Sequence, residues 1–172
     1  VKKSIVKRER RRGEVIEVLN RYEFLPDFIK SNFIPYVPEF DVGVDFILYR
    51  EVIGNGETKP NQIDEELLLK VQAKGRWRVS SKYFGRDIWM AFPDKPHGED
   101  RKWYFCPHDL MVAYVPTKTK GTTSWRLGAY GSRSFKTKKA KEFLRDFEMP
   151  AIISRLSKDY IKTLRKEFAE KW

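Results

Sequence analysis

After Leu68, residues 69–74 alternate apolar and polar side chains with a regularity that few local structures can use. Leu67, Leu69, Val71 and Ala73 share one parity, while Lys70, Gln72 and Lys74 share the other, followed by Arg76. Successive residues of a strand point to opposite faces, so this pattern is expected to form a half-buried strand over residues 66–74. The odd side faces a core. The even side is unusual, with three cations around one neutral amide and no acid from Lys70 to Arg76.

The charge of the whole chain sharpens that observation. The formal net charge is +11, unevenly distributed. Residues 1–12 hold seven Lys/Arg against Glu9, residues 70–86 hold six with no acid, and residues 116–141 hold eight with no acid. Residues 39–66 instead hold eight acids and two bases. Basic blocks flanking an acidic block imply a polyanion-binding surface beside a carboxylate cluster, with nucleic acid as the polyanion.

The 172 residues, 41% hydrophobic, suit a single domain with its own core. It divides into a basic arm (1–12), a core region (13–115), a basic loop (116–135) and C-terminal helices (136–172). No apolar run approaches the roughly 18 residues of a membrane span, and the N-terminus lacks a signal-peptide hydrophobic region. A cytoplasmic protein without a membrane partner is expected. The lone Cys106 fits a reducing compartment and reads as a small core residue. His97 and His108 are the only histidines, which excludes a His/Cys zinc site of ordinary spacing; His108 is expected to hydrogen-bond at a strand end.

Residues 13–22 predict a helix with Val15, Val18, Leu19 and Tyr22 on one face, and Pro26, Pro35 and Pro38 are expected to break regularity after it. Strands are expected over 40–50, 66–74, 87–94 and 102–115, with polar loops at 54–62 and 117–134. Amphipathic helices are expected over 136–148 and 153–168. In the second, Ile153, Leu156, Tyr160, Ile161, Leu164 and Phe168 form the apolar stripe. A helix, several strands and then helices make an α/β (α+β) fold with a central mixed sheet.

Three polar features fall on neighbouring elements of this plan. The first helix carries Glu14 and Glu17, the 40–50 strand carries Asp45, and the next strand places Gln72 and Lys74 on one face. A hard cation such as Mg²⁺ (or Mn²⁺) takes oxygen ligands and keeps water in its remaining positions. Asp45 supplies an anionic oxygen, Gln72 an amide oxygen, and a helix Glu can hold a metal-bound water. Lys74 can orient or help deprotonate the attacking water and stabilise charge on a phosphate.

The ordered set Arg12-Gly13 with Glu17, GVDFIL (43–48) and VQAK (71–74) resembles the PD-(D/E)xK nucleases. It is most similar to archaeal Holliday-junction resolvases and intron-encoded homing endonucleases, some of which carry Gln at the (D/E) position. The likeness covers about residues 12–115, including DIWMAFPD and WYFCPHDL. It implies a restriction-endonuclease-like core, Asp45 and Gln72 as metal ligands, and Lys74 as the catalytic lysine. Glu17 stands at the family-like distance from Gly13, with Glu14 as the alternative helix acid. The pattern departs from the family in having Gln72 for an acid and a longer connection over 50–66.

The expected activity is therefore metal-dependent DNA hydrolysis, on duplex or branched DNA. Phosphate contacts are expected from Lys70, Arg76, Arg78, Lys82, Arg86, Lys118, Lys120, Arg126, Arg133, Lys138 and Lys139. Cutting two strands symmetrically calls for two sites, hence a homodimer. A nuclease-fold protein that binds without cutting is the alternative. A third reading is RNA binding, with Trp77, Trp103 and Trp125 stacking on unpaired bases.

Overall fold

The computed structural model describes residues 15, 18–39, 43–53, 63–77, 79–95, 100–113 and 138–171. Side chains of residues 52, 53, 63–65, 138–140 and 171 are left out of that description. The first described element is a helix, α1, over residues 18–30, with Val15 also helical. It continues through Pro26, beyond the expected end at residue 22. Pro26 lies on an exposed part of the helix, where its missing N–H leaves no buried acceptor unmatched.

The apolar stripe of Val15, Val18, Leu19 and Tyr22 is not the side of α1 that is buried. Val15, Val18, Leu19 and Tyr22 are exposed, whereas Asn20, Phe24 and Phe28 are buried. These last three recur every four residues and so share one helical face. Phe24 packs 4.9 Å from Trp103 and 5.7 Å from Phe46, and Phe28 lies 4.8 Å from Phe105. Arg101 fastens the helix from outside, pairing with Glu23 and donating to the Asn20 amide oxygen at 3.2 Å. Two large rings outweigh the smaller Val/Leu stripe in the area they remove from water.

A five-stranded sheet follows in the order β1-β2-β3-β4-β5. Its strands are β1 (Ile34–Tyr36), β2 (Phe46–Ile53), β3 (Ile63–Ala73), β4 (Ile88–Pro93) and β5 (Trp103–Pro107). All neighbours are antiparallel except β3 and β4. The chain is thus α+β with a mixed sheet and flanking helices, as expected. The sequence reading omitted β1, whose three residues include Pro35; an edge strand tolerates proline because one side of its backbone needs no ladder partner.

The alternation of residues 67–74 sorts as expected. Leu67, Leu69, Val71 and Ala73 are buried, and Phe46 and Leu48 stand opposite Val71 and Leu69. This face lies under α1. β3 extends to Ile63, three residues before its expected start, and β2 begins at Phe46.

The parallel junction forces a crossover over residues 74–87, because parallel strands cannot be joined by a tight turn. It contains a 3₁₀ turn, Ser81–Tyr83. Trp77 stacks 6.1 Å from Phe92 on the second sheet face and meets Phe143 at the same distance. The expected 102–115 strand stops at Pro107, and His108–Ala113 form helix α2. Alternation over WYFCP suits a strand, but Leu110, Met111 and Val112 are all buried in succession, a pattern a short buried helix also accepts.

The C-terminal helices are α3 (Lys138–Arg145), α4 (Ala151–Arg155) and α5 (Lys158–Lys171). The expected 153–168 helix is interrupted at Leu156–Ser157. Ser157 Oγ accepts the Tyr160 N–H at 3.1 Å, an N-terminal cap that starts a new helix. The apolar stripe is nevertheless where expected, with Ile153, Leu156, Ile161 and Leu164 buried and Tyr160 and Phe168 packed against the core. Cys106 is fully buried on β5, and burial pushes its thiol well above the usual range.

Candidate functional site

Asp45 precedes the first residue of β2 and continues its ladder, donating its N–H to the Val71 carbonyl at 2.7 Å. That bond aims its side chain across to β3. Asp45 Oδ2 accepts the Ala73 N–H at 2.6 Å and a short bond from Gln72 Nε2. Gly43, two residues upstream, has φ of 76°, the left-handed turn that brings the chain into β2. From α1, Arg21 Nη2 donates to Asp45 Oδ1 at 3.2 Å, and its guanidinium lies 5.5 Å from the Phe46 ring centre. A helix and two strands therefore meet at one carboxylate.

Gln72 is only 4% exposed, so its amide must find partners within the protein. Besides Asp45, its Nε2 donates to the Ala73 carbonyl at 3.3 Å. Lys74 is the first residue beyond β3; its N–H donates to the Ala91 carbonyl at 2.8 Å, which anchors it to β4. Its ammonium lies 6.0 Å from the centre of the Tyr83 ring. Asp45 and Gln72 thus meet at one end of β3, and Lys74 follows directly after it with its ammonium toward Tyr83.

The crossover supplies further cations. Lys70 Nζ donates to the Arg86 carbonyl, tying β3 to the end of the loop. Lys82 lies 4.7 Å from the Tyr83 ring centre, and a Cβ on Gly43 would stand 3.6 Å from both Arg86 Nη1 and Tyr83 Cε1. Tyr83 is therefore the buried post around which Gly43, Lys74, Lys82 and Arg86 are grouped. Arg76, Lys82 and Arg86 are exposed. Arg21 meets Asp45, and Lys74, Lys82 and Arg86 gather about Tyr83 beside Gly43, which gives this end of the sheet a positive bias that favours a bound anion.

A hydrogen-bond network fixes this loop to α2. His108 is fully buried, and its Nε2 accepts the Ser80 N–H at 3.1 Å. That leaves Nδ1 to donate to Asp109 Oδ1 at 3.1 Å, while Asp109 also accepts the Gly85 N–H at 3.0 Å. The hydrogen-bonding role expected of His108 is present, at the first residue of α2 directly after β5 ends.

Several expected site residues fall outside the described residues: Glu14, Glu17, Arg78, Lys118, Lys120, Arg126 and Arg133. Lys138 and Lys139 belong to α3, but their side chains are not described. Trp77 and Trp103 are buried in the core and offer no face to a nucleic-acid base, against the stacking role considered above. Arg21 was not anticipated. An arginine on a helix carries no sequence signal that it reaches another element.

Among the described residues, no three His, Cys, Asp or Glu side chains lie together as a potential metal cluster. Asp45 and Gln72 bring two oxygen-bearing side chains together. Mg²⁺ accepts such a sparse set because it keeps several waters. The residue types fit, but Gln72 turns its nitrogen to Asp45 and Arg21 lies on Oδ1. Holding a cation there requires the amide to turn over and the guanidinium to withdraw. No protein-family model matches the chain, and no curated protein or solved structure resembles it significantly.

Proposed function

We propose that this chain is a metal-dependent DNA endonuclease with a restriction-endonuclease-like core. The observation supporting it most is the contact of Asp45 with Gln72, two residues before Lys74 on one strand end. In this reading Asp45 and Gln72 hold a Mg²⁺ or Mn²⁺ ion, with Glu17 or Glu14 completing the set. The ion supplies Lewis-acid polarisation of the scissile phosphate. Lys74 orients the attacking water and offsets charge developing on the phosphate oxygens. Lys70, Arg76, Lys82 and Arg86 hold the flanking phosphates, so binding weakens steeply with salt as counterions are released.

Purified protein with plasmid and Mg²⁺ or Mn²⁺ tests the reading directly. Cleavage is expected, falling about 10²–10³-fold in Lys74→Ala. Absence of cleavage on duplex, branched and single-stranded DNA overturns it, as does full activity in Lys74→Ala.

A DNA-binding protein without catalysis is the second reading, favoured by the Arg21 contact with Asp45. A guanidinium already balances Asp45. Gln72→Glu separates the two: tighter Mn²⁺ binding with cleavage supports the enzyme, and tighter binding without hydrolysis supports the binding protein. Burial of Trp77 and Trp103 weakens the RNA reading.

A further inference from the structure

Helix α1 is apolar on two opposite sides, and the sheet uses only one. Phe24 and Phe28 are buried, while Val15, Val18, Leu19, Tyr22 and Ile29 on the far side are each about half exposed or more, Tyr22 at 73%. Leu25, half-buried, falls within the same stripe. At about 100° per residue these positions converge on a line opposite the buried face. An exposed apolar stripe of this extent marks an interaction surface.

The spacing of the stripe identifies what encloses it. Val15, Leu19, Tyr22, Leu25 and Ile29 stand at −7, −3, 0, +3 and +7 from Tyr22. Val18 at −4 is matched by the exposed Pro26 at +4, so the apolar stripe is unchanged when the helix is reversed about Tyr22. We propose that the outer face of α1 is an isologous interface with a second copy of this chain, the two helices packing antiparallel about a two-fold axis at Tyr22. Val15 then meets the partner's Ile29, Leu19 meets the partner's Leu25, and Tyr22 meets its own symmetry mate. This is the reciprocal pairing a two-fold interface demands.

The area is consistent with that occupant. The exposed side chains present on the order of 500 Å² of mainly apolar surface, at the upper end for a monomer's largest patch. It is over half of the about 800 Å² each partner buries in a stable complex. Arg21 adjoins the axis and reaches Asp45, so the pairing sets two Asp45–Gln72–Lys74 groups on either side of the two-fold. The inference stands on the helix pattern and does not depend on catalysis.

Sedimentation of the full chain at tens of micromolar tests it. A dimer is expected, and Leu19→Glu and Tyr22→Glu are each expected to raise its dissociation constant about 100-fold or more with circular dichroism and Tm retained. Tyr22→Cys covers the case in which a charged variant misfolds. Oxidised glutathione should link it to its symmetry mate, while Lys30→Cys, one residue past the stripe, stays unlinked. A monomeric wild type overturns the inference, as does a dimer that survives both charged variants or fails to cross-link through Tyr22→Cys. A monomer whose Tyr22→Cys thiol is protected from reagents also overturns it, because another part of the same chain then covers the stripe.

Discussion

Asp45 shows how much one carboxylate depends on its neighbours. Among the described residues, the Ala73 N–H, the Gln72 amide and the Arg21 guanidinium converge on it. The Ala73 N–H belongs to β3 and persists as long as the ladder does, whereas the Gln72 amide can turn over and Arg21, a long side chain from another element, can leave. Arg21→Ala is therefore expected to tighten Mn²⁺ binding about 3- to 10-fold, the value of one partly exposed ion pair. Titration calorimetry reads this without any need for turnover. Unchanged or weaker binding in a folded variant would mean the guanidinium does not compete with the cation. The strand pattern made Asp45, Gln72 and Lys74 legible, because a period of two dictates which residues share a face. Arg21 was illegible, since a helix–strand contact depends on where the helix docks.

Among the elements, α1 carries the clearest lesson. Its apolar period was visible in Val15, Val18, Leu19 and Tyr22, yet the buried face is the one bearing Phe24 and Phe28. Both faces satisfy a helical period, and the larger rings decide which meets the sheet. Phe24→Ala should cost about 3–5 kcal/mol, because the ring packs against Phe46 and Trp103. Val18→Ala should cost under about 0.5 kcal/mol in the separated chain, as an exposed position does. Urea unfolding of both variants at a dilution that excludes self-association provides the comparison. Equal losses would show that α1 docks through the other face. The crossover between β3 and β4 makes a similar point: its cations were read from the sequence, but the burial of Trp77 and Tyr83 among them was not.

Across the whole molecule, the resolved titrations point to an alkaline limit. Burial raises the Tyr104 and Tyr160 hydroxyls and the Cys106 thiol, and the Glu51 hydrogen bond raises Tyr49 to about 12. The Glu148 hydrogen bond raises Lys102. A group whose pKa is higher in the folded state contributes stability that is fully present below its unfolded value and lost as pH climbs through the folded one. Stability should therefore begin to fall above about pH 9, where the unfolded thiol titrates, and continue falling beyond about pH 10. The buried groups carry more of this than solvent-screened Tyr49 and Lys102. Urea midpoints between neutral and strongly alkaline pH would measure the decline; a flat profile would contradict it.

Local repetition along the chain was sufficient for the mixed α+β plan, the buried side of β3, the stripe of the last helix and the segregation of charge. Each follows from a geometric period or from counting, and neither requires knowledge of what packs where. The docked side of α1, the reach of Arg21 to Asp45, the helix that begins at His108 and the burial of Trp77 were settled only in three dimensions. In each of these the local pattern permits two answers. The choice between them belongs to contacts with residues distant in sequence, where burying the larger apolar surface prevails.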